Sequence, residues 1–303
     1  MFVFETLLPI FGSTVLPVFL VAAAGFLLAR KVDVEGRSLG RVMFYLATPA
    51  LVFRSLYQTE IDPSALQLFA LVAAAVTILA GIIGWLASFD QSRRKRAAIV
   101  LTSAVSNNGN MGIPICFFAF GAPGLALGTI YYVVSSFLSN TVGVIVASAG
   151  RTPIRSALGK SLSVPMLYAA SGGLGLNLGN VELPLALFRA VDLLANAAIP
   201  GMLILLGIQL YAAPVLRGQG VILRSAVVRL ALAPLMAWGL TYLLHMQGVE
   251  RDVLILQAAM PTAVMAAVLT TEFDTEPEMV ATVIFLTTVV SMGTLSVVLW
   301  FLL

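Results

Sequence analysis

The chain has 303 residues, 60% of them hydrophobic and 10% charged, with a mean hydropathy of +1.01 and a net charge of +3. Soluble domains carry roughly 25% charge, so these figures exclude an ordinary water-soluble globular protein and indicate an integral membrane protein. Cys116 and His245 are each the single residue of their type, so Cys116 has neither a disulfide partner nor a companion metal ligand.

The first uncharged run, residues 6–29, follows a start that lacks the basic segment and small-residue cleavage site of a removable signal peptide. It is expected to be the first membrane span. A shorter stretch, 42–53, supplies the second span and 63–89 the third. No charged residue occurs between Arg96 and Arg151, and the sequence FGAPG at 120–124 divides that run into a fourth and a fifth span. Five more follow: 161–181, 193–216, 231–249, 253–271 and 279–303. A helix needs about 20 residues to cross the hydrocarbon core, and continuous apolar runs cross as helices rather than as barrel strands. The predicted fold is all-α, with ten transmembrane helices.

Lys and Arg mark alternate loops. Arg30, Lys31, Arg37 and Arg41 lie in the first; Arg93, Arg94, Lys95 and Arg96 in the third; Arg151, Arg155 and Lys160 in the fifth; Arg217 and Arg224 in the seventh. This asymmetry places the odd loops in the cytoplasm and both termini outside. The net positive charge therefore reports topology and implies no nucleic-acid partner. Loop nine, TEFDTEPE at 271–278, is cytoplasmic on this count yet purely acidic.

Landmarks recur at nearly one spacing. VLPVFLVAAAG at 15–25 and SVPMLYAASGG at 163–173 share a Pro and a Gly; Pro49 pairs with Pro200, Trp85 with Trp238, and Pro114 with Pro261. Residues 1–150 and 151–303 thus form two five-span repeats, and an odd span number turns the second upside down. Inverted repeats with matched broken helices are characteristic of secondary transporters, whose sites lie mid-membrane at the repeat interface.

The fourth span holds SNNGNMGIPI at 106–115. Entering near Ala97, it reaches Asn107 after roughly 16 Å at about 1.5 Å per residue, half-way across. Gly109, Gly112 and Pro114 are expected to interrupt it there, as Pro261 interrupts the ninth span. Pro114 and Pro261 are expected to begin the second half-helices, whose free N–H groups suit a carboxylate or similar anion. The carbonyls ending the first halves suit a cation. Asn107, Asn108, Asn110, Gln257 and Thr262 add polar side chains to the candidate substrate site.

Other polar residues fall inside spans, where ionisable groups mark function. Asp192 and Asn196 are candidates for coupling to a proton or sodium ion, with pairing of Asp192 to Arg189 as the plainer reading. Arg229 either snorkels to the interface or meets substrate. Arg54 and His245 are expected as interfacial anchors, and Asn140 and Gln209 as interhelical hydrogen-bonders or path-lining residues. Pro17, Pro49, Pro165 and Pro234 are expected to kink packed helices.

At SNNGNMGIPI and LQAAMPTAVMAAVLTTEF the chain resembles the auxin efflux carrier family, plant carriers and bacterial permeases within the bile acid, arsenite and auxin carrier superfamily. FYLATPALVF, AAIPGMLILLGIQL and VVRLALAP extend the resemblance over essentially the whole chain. It implies ten helices, an elevator movement of a transport part against a scaffold part interleaved across both repeats, and a site at the crossover. Position by position it marks Asn107, Asn108, Asn110, Gly112 and Pro114 in the first repeat, and Gln257 and Pro261 in the second. Met265 departs from the small or polar residue of many members. The long cytoplasmic loop of many plant members is absent, and with it plant-style regulation.

The expected function is a secondary carrier for a small organic anion in a cell (inner) membrane, without an organic cofactor and with a homodimer as the candidate assembly. A sodium-coupled symporter of the bile-acid type is the alternative, and a non-transporting sensor a third. Neither a catalytic constellation nor the G-x-x-x-x-G-K-[ST] sequence of an ATP-driven pump is present.

Overall fold

A computed structural model describes residues 8–59, 62–148, 152–212 and 219–303. Arg151, Arg217 and the expected repeat boundary at 150/151 lie outside the described residues. Within them every regular element is a helix, and extended pairing is confined to one bridge between Ser106 and Thr262.

The helices are α1 Leu8–Lys31, α2 36–58, α3 Pro63–Leu86, α4 Arg93–Ala104, α5 108–120 and α6 122–147. Then come α7 Ile154–Leu162, α8 Pro165–Leu178, α9 Leu185–Tyr211, α10 219–243, α11 Gly248–Ala258, α12 Val264–Glu272 and α13 Pro277–Leu302. Six stretches are long and apolar enough to cross a membrane: α1, most of α3, α5 with α6, α9, most of α10, and α13. Leu20, Leu71, Leu187, Leu193, Leu235 and Phe301 are all exposed. An outer surface so apolar is suited to lipid, and the chain is a multi-pass membrane protein.

Prolines shape the helices in a regular way. Wide π-helical turns at Phe11–Val15, Met43–Ala47, Asn108–Gly112 and Val228–Leu232 each end two residues before a proline: Pro17, Pro49, Pro114 and Pro234. Proline lacks an N–H and crowds the carbonyl one turn back, and inserting one extra residue in that turn accommodates both. Pro165 differs from the expected kink: it follows extended Val164 and starts α8. Between α5 and α6, Gly121 adopts φ 64°, ψ −146°. The chain folds back there, so that a Cβ on Gly124 would sit 2.3 Å from the Cys116 carbonyl oxygen. α9 begins at Leu185, ahead of the predicted 193, and so takes Arg189 and Asp192 into the helix.

Backbones touch where α1 crosses α9. A Cβ on Gly207 would lie 1.8 Å from the Ala22 oxygen, and one on Gly25 2.2 Å from that of Ile204. Glycine is required there because lipid supplies no hydrophobic drive between helices, leaving close van der Waals packing to hold them. α8 packs on α2, α3 on α4, and α11 against the α5–α6 hairpin.

Ion pairs gather the loops. Arg94 pairs with Asp274, and Arg224 with Asp90 at 2.5 Å, which brings loop three, the start of α10 and loop nine to one face. The acidic loop nine thereby answers the basic RRKR of loop three. The Arg224 guanidinium holds the Asp90 carboxyl down at about 2. Elsewhere the Tyr57 hydroxyl donates to the Val181 carbonyl at 3.2 Å and Asn177 Nδ2 to that of Tyr57 at 2.7 Å, joining the end of α2 to the end of α8 and the loop after it.

Candidate functional site

α4 stops at Ala104, and the chain runs through Val105, Ser106 and Asn107 before α5 begins at Asn108. α11 stops at Ala258, and α12 begins at Val264. The two interruptions cross antiparallel: Asn107 N–H donates to the Pro261 carbonyl at 2.7 Å, and Ala263 N–H to that of Val105 at 2.9 Å.

The expected meeting of two broken helices is present, with boundaries that differ from the sequence reading. The first break precedes Gly109, Gly112 and Pro114, and Pro114 lies inside α5. α4 ends because the Asn107 N–H is taken by Pro261 instead of by Ser103 one turn back. Pro261 lies within the second break and does not begin α12. It disfavours helical geometry at Met260, the residue before it.

Each break caps the opposite helix. Thr262 Oγ1 donates to the Thr102 carbonyl near the end of α4 at 2.8 Å, while Asn108 Nδ2 donates to the Gln257 carbonyl near the end of α11 at 2.9 Å and to its Oε1 at 2.8 Å. Thr262 N–H is taken by Thr287 Oγ1 at 3.2 Å. Asn108, Gln257 and Thr262 are fully buried. Gly112 is needed for this lock, because a Cβ there would lie 2.2 Å from Gln257 Oε1. Asn108, Gly112, Gln257, Pro261 and Thr262 thus meet in the crossing itself, and Pro114 lies beyond it in α5.

Asn107 and Asn110 do line one, a cavity of about 290 Å³. Its wall combines the start of α5 at Gly109 and Asn110, the start of α12 at Val264 and Met265, Asn140 of α6 and Gln209 of α9. Ser106, Thr48 of α2, and Tyr132, Ser135, Ser136 and Ser139 of α6 add to the polar part, and no charged side chain is in the lining. The N–H groups of Gly109, Asn110, Val264 and Met265 find no acceptor among the described residues. Two helix N-termini, each carrying roughly half a positive charge, therefore face one uncharged cavity. The side-chain amides of Asn107 and Asn110 also have no partner within the described chain, and Gln209 Oε1 is buried without one.

Asp192 and Asn196 stand apart from this cavity. Arg54 Nη1 donates to Asp192 Oδ1 and to Asn196 Oδ1, both at 2.6 Å, and Asn196 Nδ2 donates to Asp192 Oδ2 at 3.2 Å. The carboxylate's partner is Arg54 of α2, not Arg189, because neighbouring helices place opposite charges closer than the i,i+3 spacing does. Arg54 is correspondingly a partner in this cluster.

Arg229 does not snorkel. It is 1% exposed, with Nη1 donating to the Ser103 carbonyl at 2.7 Å and Nη2 to that of Ala258. The π turn at Val228–Leu232 carries this side chain into the crossing. Sequence gave no sign of that aim, nor of which residues of α2, α6 and α9 would close the cavity. Two larger clefts, of about 500 and 580 Å³, are lined mainly by apolar side chains such as Ile78, Ile82 and Trp85, or Leu235, Trp238 and Phe301. Neither takes in the paired starts of α5 and α12.

The profile of a family described as membrane transport protein matches residues 10–155 and 151–299. A transporter of Methanothermobacter thermautotrophicus, itself uncharacterized, is 28% identical over 93% of this chain and 95% of its own length. One from Methanocaldococcus jannaschii, likewise uncharacterized, is 24% identical over 89% and 90%. A Rhizobium meliloti protein, named as a proposed malonate transporter, is 27% identical over 93% and 92%.

Proposed function

The chain belongs to the membrane transport protein family, that of the auxin efflux carriers and their relatives, and on that premise we propose that it is a secondary carrier for a small organic anion bound at the crossover. The observation that carries this reading is the convergence of two unpaired helix N-termini, with the free amides of Asn107 and Asn110, on one cavity without charged walls. Backbone donors and dipoles already oriented toward the cavity attract an anion and need no rearrangement to do so.

A small dicarboxylate such as malonate is the proposed substrate. The cavity lies just below the roughly 300–1,000 Å³ usual for small-molecule sites, Met265 narrows it further, and the Rhizobium meliloti relative's name points the same way. In this proposal the short helices complete ten crossings: α4 with α5, and α11 with α12, each make one broken span. The α1–α6 and α7–α13 halves are then inverted repeats. The early turns of α2 (Gly40, Met43, Phe44, Thr48) and the last turns of α9 (Leu205, Gln209) also line the cavity, which supports placing it toward the loop-one and loop-seven side. We assign that side to the cytoplasm from its basic residues, which makes this an inward-facing state of an elevator cycle.

The test is uptake of radiolabelled malonate by proteoliposomes holding the purified protein, with unlabelled mono- and dicarboxylates as competitors. Saturable uptake is expected. Uptake no greater than in protein-free vesicles for every acid tried would overturn the carrier reading.

A further inference from the structure

The ends of α4 and α11 meet at the crossing with orphan carbonyls. Ser103 and Ala258 would each accept from the N–H four residues on, but the Asn107 N–H goes to Pro261 and that of Thr262 to Thr287 Oγ1. Two helix C-termini, each carrying roughly half a negative charge, therefore point at one spot in the protein interior. In a carrier this is the natural seat of a coupling cation.

A guanidinium already occupies it. Arg229 donates one Nη to each orphan carbonyl, is 1% exposed, and has no carboxylate partner among the described residues. Two half charges from the helix ends balance one full positive charge, which is how a lone arginine is tolerated at such depth. The planar fork of arginine suits two acceptors held side by side better than a lysine ammonium would.

We propose that Arg229 is a built-in cation that takes the place of a diffusible coupling ion at the crossover, so that this carrier binds and moves its anion without sodium. The idea rests on the carrier reading above. It divides the crossing into a filled half, where the helix C-termini hold Arg229, and an open half, where the N-termini are left for substrate. Arg229 acts here as a positioning residue that never touches the anion.

Two measurements test it, one of which needs no substrate. Malonate uptake and malonate-induced thermal stabilisation of the wild type should be unchanged when sodium is replaced by potassium or choline at constant ionic strength. Sodium-dependent uptake would overturn the proposal while leaving the carrier reading intact, whereas absent uptake would count against the carrier reading itself. For the second, the melting temperatures of Arg229→Ala and Arg229→Gln are recorded without substrate. Emptying the cation seat should lower them and create a response to added sodium or millimolar guanidinium absent from wild type, a rise on the order of 2–4 °C at saturation. Arg229→Lys keeps the charge and should stay unresponsive, which preserves a folded variant for comparison if the neutral ones fail to fold. Neutral variants that fold but respond to neither cation, or a lysine variant that gains sodium dependence, would sink the idea.

Discussion

Asn107, Asn108 and Asn110 are alike in sequence and unlike in what their amides already hold. Asn108 is committed to Gln257, while the other two have no partner among the described residues and face the cavity. A hydrogen bond to a charged group contributes about 1.5–3 kcal/mol, so Asn110→Ala should weaken malonate binding on the order of 10- to 100-fold with little change in melting temperature. Asn108→Ala should instead lower the melting temperature, because buried Gln257 loses its partner. Asp192→Asn serves as the contrast: its carboxylate is paired to Arg54 away from the cavity, so apparent affinity should hold at the wild-type value. Titration of each purified variant with malonate, beside its melting curve, separates these outcomes. A tenfold affinity loss in Asp192→Asn would restore it to the transport path.

At the scale of elements, the crossing is a mutual capping of two helix ends, and its bonds can be removed singly. Thr262→Val preserves shape but leaves the Thr102 carbonyl without its donor. The cost should be about 1 kcal/mol, a melting-temperature fall of roughly 2–4 °C; no fall would show that the cap contributes nothing. The two prolines, matched in sequence, should behave differently. Pro261→Ala frees Met260 to become helical and lets α11 extend into the crossing, so malonate affinity should drop at least about tenfold. Pro114→Ala acts inside α5, beyond the break, and should relax only the π turn, with affinity close to wild type. Equal losses in both variants would return Pro114 to the edge of the break. The sequence showed that helices break here, because Gly and Pro cluster at the right depth. It did not show where, because the break is set by which N–H finds which carbonyl across the crossing, a choice made between residues about 150 positions apart.

For the whole molecule, the basic loops predict an orientation that chemistry can check. Membrane-impermeant thiol reagents applied outside should modify cysteines placed at Gln58 and Gly179, which are exposed in the described structure, and spare one at Ser92. Native Cys116 is buried and should stay silent. A matching position at Gly218 lies outside the described residues. The reverse labelling pattern would invert the topology. Sequence alone determined that the chain is an integral membrane protein, that it is helical, and that helix is interrupted near Asn107 and near Pro261, since hydropathy, helix length and Pro/Gly chemistry are properties of local segments. Only the tertiary structure decided that Asp192 pairs with Arg54, that Arg229 plugs two helix ends, and that Asn107 and Asn110 are left free while Asn108 is bound. Those outcomes depend on which polar group lies nearest once the helices have packed, and in a low-dielectric interior each buried donor or charge settles on the nearest partner able to satisfy it.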